Sequence, residues 1–253
     1  MLEFFQDAML IVIAVAGALL FMAGLNLAWP AEKRRAHNDL IGWQLSILGT
    51  TYAVILGFML YTVWTNFGAA DVNVEQEASV LTNVYALAAG LPDPQRTQIQ
   101  ALARSYADAA INRDWPQMVA AQEPLETYLI NNQMWRTAMS VKSAALAEQT
   151  AQDHLLSELS TLSEHRRIRL LQSASRLPGV LWCVLLVGGA LTTFSCCMFG
   201  AESTRLHALQ VFAFSLLVAL CLVAVADINR PFQGGVHISD LAFRRAQHYM
   251  HTN

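Results

Sequence analysis

The stretch Gly49–Ala78, GTTYAVILGFMLYTVWTNFGAADVNVEQEA, decides how the rest of the chain is read. It opens as an apolar run long enough to enter a bilayer and carries threonines and tyrosines through it. It leaves in Asp71, Glu75 and Glu77, with no proline or loop signal between. One helix is therefore expected to run out of the membrane into water without a break. Three further uncharged windows flank this one. Together they are Ala8–Pro30, Ile41–Ala70, Leu177–Ala201 and Leu206–Ala226, each reaching the roughly 20 residues that cross about 30 Å of hydrocarbon. Four transmembrane helices are expected. The chain is 55% hydrophobic and 14% charged, with a mean hydropathy of +0.35, which places it outside the soluble class.

Two other readings of the apolar runs are set aside. A secretory signal needs a basic leader, and the first window follows the acidic MLEFFQD, so it is expected to stay as an anchor. A β-barrel would alternate at every second residue, whereas these runs are continuous. Cys183, Cys196, Cys197 and Cys221 all fall in the last two windows and are expected as small apolar packing residues, with neither a disulfide framework nor a metal pair. A net charge of −3 with evenly scattered Lys and Arg offers nothing to nucleic acid.

The expected organisation is two spans in residues 1–70, a helical extramembrane domain in 71–176, two spans in 177–230 and a tail in 231–253. Within the middle domain the helix leaving the second span continues to about Ala89 and stops at Gly90, Pro92 and Pro94. A second helix covers about Pro94 to Asn112. After Pro124 no Pro or Gly intervenes before Pro178, a run read as two helices hinged near Ala147–Gln152, the later one entering the third span almost continuously. The tail, after Pro231 and the Gly234-Gly235 turn, reads as weakly amphipathic. Charge leaves orientation open: Lys33, Arg34, Arg35 and Arg205 oppose Arg166, Arg167, Arg169, Arg176, Arg230, Arg244 and Arg245.

At about 100° per residue the second span divides into three sectors. Ser46, Thr50, Ala53 and Gly57 form a small-residue face suited to close helix packing. Tyr52, Leu56, Met59 and Val63 form a bulky face for lipid or a neighbour. Thr51, Ile55, Phe58, Thr62 and Thr65, with Asn66 at the edge, form a hydroxyl stripe interrupted by apolar side chains, the pattern of a wettable path with a dewetting constriction. Threonines that bond their own backbone would make the same stripe ordinary packing. Asp71 and Glu75 continue the small face and Glu77 is turned away from both. In a symmetric oligomer the three carboxylates are expected at a pore mouth or ion-binding position.

Across HNDLIGWQLSILGTTYAVILGFMLYTVWTNFGAADVNVEQEASVL, RDWPQMV, RRIRLLQSASRLPGVLW and INRPFQGGV, in that order, the chain resembles the bacterial bestrophin-like domain family. The residues that carry the match are His37, Asn38, Tyr52, Phe58, Trp64, Ala70, Glu77, Ala78, Trp115, Pro116, Arg169, Pro178, Pro231, Phe232 and Gly234. The resemblance implies a bestrophin-like all-α membrane architecture: four spans, cytoplasmic termini and a helical cytoplasmic section between spans two and three. It also implies a second span that lines an apolar neck, with Ile55 and Phe58 as the analogous constriction. The acidic exit does not suit an anion path, and no calcium-clasp residue carries over.

Other candidates are structural. Asp227 and Arg230 sit three apart and are expected to pair. Trp64, Pro178, Pro231, Phe232 and Gly234 are expected as motif positions that shape the fold. His248 and His251 belong to a solvated tail, and His207 with Glu202 and Arg205 forms no recognisable relay. No nucleophile elbow, HExxH, P-loop or dinucleotide motif occurs, so enzyme chemistry, cofactors and a metal are not expected. The expected function is a homo-oligomeric ion channel of a bacterial inner membrane, multi-pass, whose partners are the lipid bilayer, its own copies and inorganic ions. The alternative is a membrane-anchored interaction or signalling protein whose helical domain binds a partner without conducting.

Overall fold

A computed structural model describes residues 2–252, with side chains from Phe5 onward, and among them every regular element is helical. The elements are α1 (Leu2–Ala28), α2 (Ala31–Arg34), a 3-10 turn Arg35–His37, α3 (Asn38–Leu87), a 3-10 turn Ala88–Gly90, α4 (Gln95–Ala109), a π turn Ala110–Asp114, α5 (Trp115–Val119), α6 (Glu126–Met139), α7 (Leu146–Ala174), α8 (Gly179–Cys197), α9 (Thr204–Ile228) and α10 (Leu241–Thr252). Four helical stretches are long and apolar enough to cross a bilayer: Phe5–Ala28, Ala31–Gly90, Gly179–Cys197 and Thr204–Ile228. The chain divides into two units. One takes residues up to Thr65 with Arg176–Asn229, the other Asn66–Ser175 with Arg230 onward.

The first unit contains α1, α2, the leading part of α3, α8 and α9. Its buried clusters are small, Ala18, Met22, Cys197 and Val211 in one and Val63, Leu185 and Val225 in the other. Large apolar side chains stay outside: Leu20 is 72% and Leu27 87% exposed, as a hydrocarbon solvent permits. The polar groups of this unit gather where α8 ends. Arg34, fully buried, donates from Nη1 to the Cys197 carbonyl at 2.8 Å and from Nη2 to the Asn26 amide oxygen. A guanidinium on the last carbonyl of a helix meets the negative end of its dipole, which compensates the buried charge. Asn38 takes the Gly200 N–H at 2.9 Å and donates to the Gly200 carbonyl at 3.2 Å. Gly200 has no room for a side chain: a Cβ there would lie 2.6 Å from the Arg35 nitrogen and closer still to the Ala31 carbonyl. Arg34, counted from sequence among the charges that set orientation, is thus a buried capping residue.

The second unit has one large buried core. Leu81, Val84, Ile99, Tyr106, Met134, Leu155, Leu159, Leu162, Phe232 and Phe243 share one buried cluster. Four expectations about its helices are corrected. The break in the run after Pro124 falls at residues 140–145, not at Ala147–Gln152. The polar glutamines read as a hinge instead satisfy the open backbone of the true break: Gln152 donates to the Ala138 carbonyl at 2.8 Å and Gln149 to that of Ser143 at 2.9 Å. Residues 175–178 are non-helical, with Ser175 and Pro178 both extended, so α7 does not run on into α8. Proline disfavours helix in the residue before it, and that ends the ladder. The π turn carries the second helix past Asn112 to Asp114, directly into α5.

The fourth correction concerns residues 231–253, which are no loose tail. In α10 Ala242, Phe243, Ala246 and Met250 are buried on one face. Phe232 and Phe243 each stack edge-on to Trp115 at 5.7 Å. Trp115 donates to the Ile238 carbonyl at 3.3 Å and Gln233 to that of Met118 at 2.8 Å. Gly234, at φ 89°, supplies the turn that a side chain would strain. His248 and His251 lie on the exposed face.

Gly200→Ala is expected to lower the thermal midpoint of the detergent-solubilised protein by about 5 °C or more, since the new methyl meets backbone that cannot yield. An unchanged melting curve would show that the loops at Ala31–Asn38 and Gly200 do not depend on this contact.

Candidate functional site

Within the chain the three sectors of α3 are used unequally. Tyr52 and Val63 are 6% and 2% exposed, and Leu56 and Met59 pack beside Val63, so the bulky sector is the one that joins α3 to the rest of its unit. Ser46, Thr50, Ala53 and Gly57, the expected packing face, are exposed, and a Cβ on Gly57 would meet nothing within 4 Å. The reason lies on α8. Gly188 and Gly189 provide the small surface, and a Cβ on Gly188 would stand 2.6 Å from the Tyr52 ring. Close approach needs one small partner, and here α8 supplies it.

Much of the hydroxyl stripe also stays uncovered by the chain, although Ile55 packs against the Val63, Leu185 and Val225 cluster. Thr51, Thr65 and Asn66 are exposed, Ile55 and Thr62 half-buried, and Phe58 is 65% exposed. Trp64 is exposed as well. The Thr62 hydroxyl donates to the Phe58 carbonyl at 2.8 Å and that of Thr65 to the Tyr61 carbonyl at 3.0 Å, so each proton turns to its own backbone and leaves oxygen lone pairs outward. Pro178 is the N-cap position of α8, Asp227 lies in the last turn of α9 and Arg230 follows it.

The three carboxylates at the exit of α3 have different destinations. Asp71 and Glu75 are exposed, and Glu75 pairs with Arg245 at 3.3 Å across half-open surface, a contact worth little in water. Glu77, expected at the mouth but turned away from both, faces the core of the second unit with no exposure. It shares the buried face of Val74, Ala78, Leu81, Val84 and Ala88, and helical spacing puts it there.

Around Glu77 the unit builds a closed charge cluster. Arg169 of α7, fully buried, donates from Nε to Glu77 Oε2 at 2.7 Å and from Nη2 to Glu77 Oε1 at 3.1 Å. The same Nη2 reaches Asp114 Oδ2 at 3.1 Å. The Tyr106 hydroxyl donates to Glu77 Oε1 at 2.7 Å. Thr127 donates to Asp114 Oδ2 and accepts from Arg166 Nε, the latter at 2.7 Å. Trp115 and Phe243 flank the Arg169 guanidinium, their ring centres 5.6 and 5.7 Å away. Two cations and two anions therefore balance inside an apolar core. Asp114 sits in the π turn, and the extra residue of that turn brings Asp114 and Trp115 into the core on successive positions.

These surroundings hold the protons in place. Burial pushes the Tyr106 phenol well above its usual range, and the neighbouring Glu77 carboxylate pushes it further. For Arg169 burial pulls downward, but the paired Glu77, with Tyr106 and Asp114, outweighs it, and the net direction is up. Tyr106 therefore keeps its proton and Arg169 its charge across the physiological range. Tyr106, Asp114 and Thr127 were missed from sequence, and Arg166 and Arg169 were counted as topology charges. One signal was legible: Glu77 lies one turn before Leu81 on the apolar face of α3.

The profile of the family described as Bestrophin-like domain matches residues 12–243. The chain belongs to the bestrophin-like domain family. No curated protein and no solved structure matches it. The bestrophin-like match runs from α1 into α10 and takes in the whole of α3, the charge cluster and the aromatic contacts of Trp115. With four helices apolar enough to span a bilayer, this member of the family is a membrane protein.

Removing one partner from a buried pair leaves the other charge stranded. Glu77→Ala and Arg169→Ala are each expected to cost about 3 kcal/mol or more, and the double variant clearly less than their sum. Additive losses in thermal unfolding of the full chain would dissolve the pairing. A second expectation concerns alkali. Because the folded pKa of Tyr106 lies above its ordinary 10.0, the stability it contributes is complete below pH 10 and declines as pH rises beyond it. Tyr106→Phe should flatten that alkaline decline, and an identical slope in both proteins would contradict it.

Proposed function

We propose that this bestrophin-like protein is a homo-oligomeric ion channel, multi-pass in a bacterial inner membrane, with α3 lining the path and an apolar constriction at Ile55 and Phe58. The observation that carries this reading is the uncovered circumference of α3. Its small-residue face and, in the stripe, Thr51, Phe58, Thr65 and Asn66 are left open, while Ile55 packs with the Tyr52–Val63 sector. Lipid suits apolar side chains, whereas Thr51, Thr62, Thr65 and Asn66 present oxygen lone pairs that water or an ion satisfies better. The small face of Ser46, Thr50, Ala53 and Gly57 then suits a second copy, which leaves the stripe near a shared axis.

In this arrangement the charge cluster anchors the water-exposed continuation of α3, and Asp71 and Glu75 lie beyond the stripe where carboxylates favour cations. Family membership supports four spans with the helical section on the cytoplasmic side. No catalysis and no cofactor are part of the proposal. The backbone-bonded hydroxyls of Thr62 and Thr65 favour the second reading, in which α3 is a dry anchor and the second unit binds a partner.

Reconstituted protein is expected to conduct in planar bilayers, with a reversal potential under asymmetric salt that reports cation preference. Phe58→Ala should raise open conductance severalfold or abolish closure. Silence in every condition would remove the channel reading. A Thr62→Cys variant should react with a water-soluble thiol reagent; protection of that thiol in the assembled protein favours the anchor.

A further inference from the structure

We propose that the cleft bounded by α4, the π turn, α6 and α10 binds a small zwitterion of the amino-acid class, its carboxylate on Arg104 and its ammonium on Asp108. The cleft belongs wholly to the second unit, so the inference is independent of conduction.

The cleft has a volume of about 490 Å³, within the range of small-molecule sites. Four side chains that line it carry a permanent charge: Arg104 and Asp108 on α4, Arg113 in the π turn and Glu126 in the first turn of α6. Two cations and two anions in one cleft would ordinarily close on one another. Among the described residues, none of the four takes part in an ion pair.

Arg104 and Asp108 show why. They stand four residues apart on α4, the spacing at which opposite charges on a helix meet, but each is tied elsewhere. Arg104, half-buried, donates from Nε to the Met250 carbonyl at 2.8 Å and from Nη2 to the Tyr85 hydroxyl at 2.5 Å. Its guanidinium also lies over the Tyr85 ring, 5.0 Å from the centre. Asp108 accepts at Oδ1 from the Asn112 amide at 2.8 Å. The guanidinium is thereby held in place with Nη1 unspent, and the carboxylate keeps Oδ2 for another donor.

A cation and an anion fixed one helical turn apart, without touching, match the two ends of a zwitterion. A carboxylate seated on Arg104 makes charge-assisted hydrogen bonds, and an ammonium does the same on Asp108. A plain anion would face the Asp108 carboxylate and a plain amine the Arg104 guanidinium, so the pair selects against both. Gln247 of α10, half-buried, lines the same cleft and adds an amide donor for the carboxylate. Arg113 and Glu126 again present one charge of each sign, with the apolar Ile130 as the third lining residue of that stretch. A neutral amide side chain suits them, since its oxygen accepts from Arg113 and its nitrogen donates to Glu126. All these side chains line the cleft itself, so an occupant meets them directly.

The test is calorimetric titration of the full chain in nanodiscs with L-glutamine, which carries both charges and the amide. The comparators are glutaramate, which lacks the ammonium, and 4-aminobutanamide, which lacks the carboxylate. L-glutamine is expected to bind saturably, one per chain, and about tenfold or more tighter than either comparator, the margin of one charged hydrogen bond. Asp108→Asn keeps an acceptor for Asn112, so it should erase the preference over glutaramate and retain that over 4-aminobutanamide. Arg104→Gln should do the reverse; if the loss of its ties to Tyr85 and Met250 unfolds the unit, Asp108→Asn decides alone. The proposal is overturned if L-glutamine gives no saturable heat, if either comparator binds as tightly, or if the preference over glutaramate survives Asp108→Asn.

Discussion

Arg169 is held by Glu77 and Asp114 in a fully buried position, and the rest of the second unit is arranged so that this tie can exist. A buried guanidinium needs acceptors on its donors, and here two carboxylates supply them beside aromatic rings. Glu77 comes from α3, Asp114 from the π turn and Arg169 from α7, while the rings of Trp115 and Phe243 lie beside the guanidinium. Phe243 belongs to α10, so even the C-terminal helix is drawn in. Helices distant in sequence are thereby fixed to one point, and α3, which also supplies the open membrane face, is one of them.

The two units solve the polar-group problem differently. In the first, several polar side chains are satisfied within a turn or at a helix end: Thr62, Thr65, Thr192 and Thr193 bond to their own backbone, and Arg34 caps α8 at Cys197. Large apolar residues remain outside. In the second, apolar residues are collected inward and the charges that enter with them are paired across long sequence separations. A single helix takes part in both regimes, which is why Asp71 and Glu75 are exposed only a turn or so from the buried Glu77.

Much of this was readable from residues alone. The length of the four apolar runs, the lack of a breaker between Gly49 and Ala78 and the stop at Gly90 follow from local chemistry, and α3 runs through Leu87 as that chemistry requires. The turn at Gly234 was equally legible, because only glycine accepts that backbone without strain. The break between α6 and α7 was misplaced by several residues, since the glutamines that mark it act at a distance from themselves. The C-terminal helix was misjudged because its buried face shows its worth only once Trp115 is known to lie against it.

What the sequence by itself determined is the local frame: which segments are helices, which are long enough for a bilayer, and the angle at which each side chain leaves α3. Periodicity specifies a direction but not what stands in that direction. Tertiary structure decided the neighbours. Tyr52 packs because α8 offers Gly188 and Gly189, and the small face of α3 stays open for the same reason. Glu77 is buried because Arg169 arrives from 92 residues away, and a carboxylate beside a matching cation is stable where an isolated one would have to face water.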